Sequence, residues 1–162
     1  MKTRPSQPVP AFSLRQARPA DFDFLWRLTA VTMRDYVGAI WGWDDDWQRR
    51  RFLENFEPGY WKVVNAFGRD IGGVAVRRLP KEIFLADLQI LPPYQNLGIG
   101  TAIIERLKSE AKDKCLVISL NVLKSNPRAR RLYERLGFHM VEQASTPEKD
   151  LMVILPLSEG NE

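Results

Sequence analysis

The sequence contains few of the residues that form disulfides and zinc sites. Its 162 residues include one cysteine and one histidine. Cys115 therefore has no partner for an internal disulfide, and one cysteine with one histidine is too few ligands for a Cys/His zinc site. We expect a reducing compartment, with the cytoplasm as the location, and chemistry that uses no metal.

Long apolar runs are also missing. A membrane-spanning helix needs about 18 consecutive apolar residues, so we expect no membrane association. Residues 1–10 are polar and contain three prolines, which predicts a flexible leader rather than a signal peptide. No repeat or low-complexity linker divides the rest, so we expect one domain over residues 11–157 and a short tail over 158–162.

The composition is that of a globular protein, with 44% hydrophobic and 27% charged residues. The net charge of +4 and the isoelectric point of about 9.4 favour anionic partners. Because the basic residues are spread along the chain, a coenzyme with several phosphates fits as well as a nucleic acid. No zinc-finger or RNA-recognition signature is present, so we expect no nucleic-acid partner.

Hydrophobic periodicity and turn residues predict an alternation of strands and helices. The expected strands cover residues 12–17, 61–67, 71–78, 83–91, 116–122, 139–143 and 151–155. The expected helices begin at Asp21 as a cap, at residues 44–46, after Gly98 and at Pro127, with breaks at Gly38 and Gly42. This order predicts a mixed α+β fold.

The most informative stretch places two glycines, Gly98 and Gly100, between a buried strand and a long helix. The first turn of a helix presents unpaired N–H groups and a partial positive charge, so it binds phosphate. The spacing matches neither a P-loop nor a dinucleotide-binding fingerprint. The alternative is that Gly98 and Gly100 only allow the chain to turn from the strand into the helix, and that no ligand binds there.

A second element begins with Asn126 as an N-cap and Pro127 at the first helical position. Read alone, it is also consistent with an ordinary capped amphipathic helix that carries a core tyrosine, Tyr133. Read together, the two elements form the pattern Gln95-x-x-Gly98-x-Gly100-Thr101 and, about 25 residues later, Asn126-x-x-Ala129-x-x-x-Tyr133-x-x-x-Gly137-Phe138. In motifs, spacing and element order the sequence resembles the GNAT N-acetyltransferases.

The resemblance implies a central, mostly antiparallel twisted sheet flanked by helices, with acetyl-coenzyme A as cosubstrate. The pyrophosphate would lie on backbone N–H groups of the loop Gln95, Asn96, Leu97, Gly98, Ile99, Gly100 and Thr101. The pantetheine arm would pair with the backbone of Leu88 and Ile90, and Asn126 and Arg130 would contact the coenzyme. Tyr133 would protonate the leaving thiolate, unless it only packs against the acetyl end.

The general base is not assigned by the resemblance. Relatives carry a glutamate at positions that correspond to Phe84 and Asn121 here, and neither residue can accept the proton. Strand alternation turns Asp87 away from Leu88 and Ile90, which favours a water relay, or a residue from the N-terminal helices, over Asp87.

On the acceptor side, Asp44–Asp46 lie among tryptophans, with Glu54 and Glu57 nearby, which suggests a pocket for a cationic amine. The alternative is that these aspartates cap a short helix and the tryptophans pack. We expect direct acetyl transfer in a ternary complex to a primary amine, a cationic small molecule or a peptide. The alternative function is an acyl-coenzyme A-binding module without turnover. The sequence does not decide between a monomer and a homodimer.

Overall fold

The computed structural model describes residues 7–157, so residues 1–6 of the expected leader and the tail over 158–162 lie outside the described part. In chain order its elements are β1 (Phe12–Gln16), α1 (Phe22–Trp41), α2 (Asp45–Asn55), β2 (Trp61–Ala66), β3 (Arg69–Leu79), β4 (Glu82–Ile90), α3 (Ile99–Asp113), β5 (Val117–Leu123), α4 (Pro127–Arg135), β6 (His139–Met140) and β7 (Lys149–Ile154). The predicted mixed α+β fold is confirmed.

The strands form one sheet in the order β1-β2-β3-β4-β5-β7-β6. Every neighbouring pair is antiparallel except β4 and β5, which are parallel. A parallel pair needs a crossover connection, and α3 provides it. The expected mostly antiparallel sheet is therefore confirmed.

Helices cover both faces of the sheet, because strand residues alternate between two hydrophobic clusters. On β2, Val64 belongs to the cluster that contains α3 residues such as Ile103, whereas Val63 belongs to the cluster that contains Leu25 and Leu28 of α1. This alternation is the period of two that a strand imposes on its side chains. The helices α1 and α3 thus lie on opposite sides of the sheet.

The close approach of α1 to the sheet depends on a glycine. A Cβ atom at Gly73 would lie 2.7 Å from Cδ2 of Leu25 and 3.0 Å from the Trp61 ring. Any larger residue would push α1 away from β3. The position of α1 matters because this helix forms one wall of the candidate site.

Two features of β4 open the sheet. The β3–β4 register pairs Ala75 with Asp87 and Val76 with Leu85, which leaves Ala86 as a bulge. The β4–β5 pairing ends at Leu85, although β4 continues to Ile90. Beyond the bulge, β4 therefore pairs with β3 on one side only, and its other edge is free of β5.

An ion-pair network ties the start of the chain to the sheet. Arg15 donates to both carboxylate oxygens of Asp21, at 2.9 and 2.8 Å, and to Asp70 at 2.9 Å. Asp21 was expected to cap α1, but its side chain makes no cap bond to that helix. It accepts instead from the backbone N–H of Arg18 at 2.8 Å.

Two other boundaries differ from the prediction. Gly38 lies inside α1, and the helix ends only at Gly42, whose φ is +76°. One interior glycine costs about 1 kcal/mol relative to alanine, which the buried contacts of Leu25 and Leu28 offset. The predicted strand over 139–143 stops at Met140, because Glu142–Ala144 form a 3₁₀ turn.

Candidate active site

A cleft of about 600 Å³ lies where β4 has separated from β5. Its walls come from α1, the end of β4, the loop after β4, the first turn of α3, and α4. Most of the residues expected to contact the coenzyme line this main cleft: Leu88, Ile90, Gln95, Asn96, Gly98, Ile99, Gly100, Thr101, Asn126 and Tyr133. Two others, Leu97 and Arg130, are not among its lining residues.

The N-terminus of α3 opens into the main cleft without a side-chain cap. Gly98, its N-cap residue, has φ of +86°, and no side chain bonds to the first turn. In contrast, α2 and α4 are capped by Asp44 and Asn126. The N–H groups of the first turn of α3 therefore remain available to an anion, and the helix dipole favours one there.

The loop before α3 is fixed by its own side chains. Nε2 of Gln95 donates to the carbonyl of Ile90 at 2.8 Å, at the end of β4. Arg128 of α4 donates to Oδ1 of Asn96 and contacts Oε1 of Gln95 at 3.5 Å. The bonds of Arg128 connect the loop with α4, which are two walls of the cleft.

The same N-terminal end of α4 makes two further contacts. Oδ1 of Asn126 accepts from the backbone N–H of Ala129 at 3.1 Å, as the sequence predicts for an N-cap. The neighbouring Ser125 donates to the carbonyl of Tyr36 in α1 at 2.7 Å. This bond joins the third wall of the cleft to the other two.

The arginines of α4 divide between two faces. Arg128, Arg131 and Arg135 line the main cleft, at the i, i+3, i+7 spacing of one helix face. Arg130 lies elsewhere, with Nη1 at 2.9 Å from the buried Asp150 and Nε at 3.0 Å from Glu134. Arg130, which the resemblance assigns to the coenzyme, thus forms ion pairs with Asp150 and Glu134 in this structure.

Tyr133 reaches the cleft from α4 and packs edge-on against Phe138, with ring centroids 5.8 Å apart. Burial, together with the negative charge of Asp87, raises the pKa of Tyr133 to about 12. A phenol with this pKa stays protonated at neutral pH, so it can donate a proton.

Asp87 follows the bulge in β4. Burial raises the pKa of Asp87 to about 7, and the positive charge of Lys149 opposes that rise. Gln89 donates to Oδ1 of Asp87 at 3.3 Å, and Thr29 of α1 donates to Gln89 at 2.9 Å. Alternation does turn Asp87 to the α1 side of the sheet, but because β4 and β5 have diverged, its charge still acts on Tyr133.

Comparison with known proteins identifies the family. Residues 22–138 match the model of the Acetyltransferase (GNAT) family. The chain belongs to the GNAT family. The resemblance carried by the Gly98 loop and the Asn126 helix is thereby confirmed, and this family is one of acyltransferase enzymes.

Individual relatives match the GNAT chain over shorter segments. The thialysine N-epsilon-acetyltransferase of Bos taurus is 38% identical over 65 residues, which are 40% of this chain and 38% of that protein. The N-alpha-acetyltransferase 60 of Xenopus tropicalis is 35% identical over 60 residues, which are 35% of this chain and 25% of that protein. The chain thus matches well under half of the length of either relative.

A solved structure shares the fold over nearly the whole GNAT domain. It is that of the PaiA N-acetyltransferase from Thermoplasma acidophilum in complex with coenzyme A, with a TM-score of 0.72. The match covers 90% of this chain and 99% of that one at 14% identity. At such low identity the likeness is one of fold.

A second pocket of the GNAT domain, about 700 Å³ in volume, lies beside the end of α1. We call it the tryptophan pocket, since Trp41, Trp43 and Trp47 line it together with Arg51 and Lys149. The two pockets share α1 as a wall, because Tyr36 lines the main cleft and the next residue, Val37, lines the tryptophan pocket.

The aspartates expected to hold a cationic amine have other partners. Oδ1 of Asp44 accepts from the backbone N–H of Trp47 at 2.7 Å and caps α2. Oδ1 of Asp45 accepts from Arg34 at 2.8 Å and from Nε1 of Trp43 at 2.7 Å. Asp46 is not among the lining residues of the pocket. The geometry therefore favours the alternative interpretation, in which these carboxylates stabilise the α1–α2 connection.

Three residues of α1 that line the main cleft were given no role by the sequence: Thr32, Met33 and Tyr36. Thr32 and Tyr36 follow Leu25 and Leu28, which are buried, at the three- and four-residue spacing of one helix face, and this spacing is the signal that could have found them. Within residues 7–157 no cluster of three metal-binding side chains occurs. None of the helices in this range is both long and apolar enough to cross a bilayer.

Proposed function

We propose that this protein transfers the acetyl group of acetyl-coenzyme A directly to a primary amine, within a ternary complex. The observation that carries the proposal is a cleft lined by Tyr133 and by the uncapped N-terminus of α3, with Asp87 near enough for its charge to raise the pKa of Tyr133. The pKa values of Asp87 and Tyr133 are about 7 and about 12. Such a separation is suited to a base and an acid that act in one reaction at neutral pH.

The main cleft fits the coenzyme by its chemistry. The free N–H groups of the first turn of α3 suit a pyrophosphate, and Arg128, Arg131 and Arg135 supply positive charge on the opposite wall. Beyond the bulge, the edge of β4 that faces away from β3 has no strand partner from β5. The backbone of Leu88 and Ile90 can therefore pair with the amide groups of the pantetheine arm.

Acetyl-coenzyme A, when bound, supplies an activated thioester and a thiol leaving group. Asp87 accepts a proton from the incoming ammonium group, directly or through one water, so that the amine nitrogen can form its bond to the acetyl carbon. Tyr133 donates its phenolic proton to the sulfur as the carbon–sulfur bond breaks, and the second proton that the nitrogen loses on becoming an amide restores the phenol. General acid and base steps of this kind each contribute roughly 10²–10⁴-fold to the rate.

Asp87 is the general base in this proposal, whereas the sequence favoured a water relay or a residue from the N-terminal helices. Asp87 lines neither pocket, but its charge raises the pKa of Tyr133 on the main cleft, and the charge of Lys149 on the tryptophan pocket lowers the pKa of Asp87. These two effects support a base that acts near both cavities. We also propose the cytoplasm as the location, in line with the free Cys115.

The acceptor is a primary amine. The name of the bovine relative places its acetyl group on the ε-nitrogen of thialysine, which supports an alkyl amine as the acceptor class. Asp44 and Asp45 are not part of the proposed acceptor site, because Asp44 caps α2 and Asp45 pairs with Arg34.

The test is amine-dependent release of thiol from acetyl-coenzyme A by the purified protein. Turnover that depends on both the amine and Asp87 is the expected result. The rival function is a module that binds acyl-coenzyme A without turnover, and it predicts tight coenzyme binding but no thiol release with any amine. That result would overturn the proposed activity.

A further inference from the structure

The walls of the tryptophan pocket include two exposed aromatic side chains. Trp41 is 55% exposed and Trp47 is 50% exposed, and both line the same cavity. Indole rings that face a shared cavity bind flat apolar groups, because burying an aromatic ring removes a large apolar area from water.

The charge on the walls of this pocket is mainly positive. The guanidinium of Arg51 lies over the Trp47 ring, 5.5 Å from its centroid, and Lys149 lines the same cavity. Among the described lining residues the only carboxylate is that of Asp44, which caps α2. A ligand with a second cationic group would therefore meet like charge, whereas a ligand with an anionic group would meet two cations.

The pocket is adjacent to the proposed reaction centre. Lys149, on its wall, is close enough to Asp87 for its charge to lower the pKa of that carboxyl group. Tyr36 lines the main cleft and the next residue of α1, Val37, lines the tryptophan pocket, so the two cavities lie beside the same turn of this helix.

We propose that the acceptor is a primary amine that carries an aromatic ring and an anionic group. This inference rests on the proposed function. The ring lies against Trp41 and Trp47, the anionic group faces Arg51 and Lys149, and the amine extends toward Asp87. Diamines and other acceptors with a second positive charge are poor substrates.

The experiment compares four amines with coenzyme-saturated protein: 4-(2-aminoethyl)benzoate, 2-phenylethylamine, n-butylamine and 1,4-diaminobutane. We expect kcat/KM to fall in this order, with roughly tenfold between the first and the third, as expected for one stacked ring. Binding of 4-(2-aminoethyl)benzoate is measured separately by calorimetry on the protein loaded with coenzyme A, so that recognition is read without turnover.

Matched variants identify the residues responsible. Trp47→Ala should raise KM for the two aromatic amines roughly tenfold and leave KM for n-butylamine unchanged. Leu53→Ala is its control, because Leu53 is 54% exposed on the same helix and does not line the pocket. Arg51→Gln should remove the preference for the benzoate over 2-phenylethylamine, and Arg50→Gln, outside the pocket lining, should not.

Two outcomes overturn the inference. A kcat/KM for 1,4-diaminobutane equal to or above that of the aromatic amines would contradict it while leaving the acetyltransferase activity intact. A Trp47→Ala protein with unchanged selectivity would do the same. If acetyl-coenzyme A neither binds nor turns over, the proposed function is wrong, and the inference that rests on it is wrong with it.

Discussion

The carboxylate of Asp87 on β4 lies close enough to the phenol of Tyr133 on α4 for its charge to raise the pKa of that phenol. In the sequence, the crossover helix α3 and the strand β5 lie between β4 and α4. The pairing of β4 with β5 stops at Leu85, two residues before Asp87. The gap between these strands leaves room for the cleft that Tyr133 lines.

Replacing Asp87 should remove the low-pH limb of the activity profile. With a pKa of about 7, the wild-type kcat/KM should rise as the pH increases through that value, because only the carboxylate accepts a proton. Asp87→Asn should lower kcat roughly 10²–10⁴-fold and abolish this limb. Steady-state rates between about pH 5.5 and pH 9 measure it, and a variant that keeps the limb would exclude Asp87 as the base.

Tyr133→Phe should affect catalysis and not coenzyme binding. The ring still packs against Phe138, but no proton reaches the sulfur, so kcat should fall by roughly 10²–10⁴-fold while the dissociation constant of acetyl-coenzyme A stays the same. Tyr60→Phe, at an exposed position outside both pockets, is the control. A kcat close to the wild-type value would instead assign Tyr133 a packing role.

Gln89 should act as a positioning residue for the base. Its amide donates to Asp87 and is held by Thr29, and the side chain is 4% exposed. A donor to a carboxylate stabilises the charged form, so Gln89→Met should raise the pKa of Asp87 and move the limb of the pH profile to higher pH. Thr29→Val should shift the limb in the same direction by less. A change in KM alone, with the limb fixed, would contradict this role.

The Arg15–Asp21 pair should make stability depend on acid pH. The hydrogen bond from Arg15 lowers the pKa of Asp21 to about 2 from an ordinary value of 3.8. The unfolded state then binds the proton more readily, so the stabilisation is complete above about pH 4 and is lost as the pH falls toward 2. The difference corresponds to about 2 kcal/mol in the free energy of unfolding.

Asp21→Asn should therefore lose about 2 kcal/mol at pH 7 and progressively less below pH 4. Urea denaturation at pH 7 and at a pH below 4 measures this difference in the free energy of unfolding. Asp35→Asn, at an exposed site in the middle of α1 with no ion pair within residues 7–157, is the control and should leave stability unchanged. A loss that is independent of pH would mean that packing, rather than charge, makes Asp21 important.

Local chemistry made part of this site predictable. The uncapped first turn after Gly98 and the Asn126 cap depend on residues adjacent in sequence, so the sequence was sufficient to identify them. Local sequence did not indicate which arginines of α4 line the main cleft. Arg130 turns away because the buried Asp150 lies beside it, on a strand 20 residues later.

The proposed role of Asp87 as the general base depends on contacts between strands that are distant in sequence. The Ala86 bulge and the divergence of β4 from β5 arise from sheet register, which no local pattern in β4 reveals. The same holds for Asp44 and Asp45, where composition suggested a cation site, but the backbone N–H of Trp47 and the guanidinium of Arg34 bind these carboxylates.

Calorimetric titration with acetyl-coenzyme A tests the central claim most directly, because every later step needs the coenzyme at the first turn of α3. The critical variant is Gly100→Leu. A Cβ at Gly100 would meet only Leu88, at an ordinary 3.8 Å, so the added side chain fills the cleft without straining the backbone. Gly68→Ala, at a hairpin glycine with φ of +71° and open space around it, is the control for general destabilisation.

We predict a dissociation constant on the order of micromolar for the wild-type protein and for Gly68→Ala. Gly100→Leu should bind at least roughly tenfold more weakly with an unchanged melting temperature, and dephospho-coenzyme A should bind more weakly than acetyl-coenzyme A. No detectable binding to the wild-type protein, or equal binding by Gly100→Leu, would contradict the account.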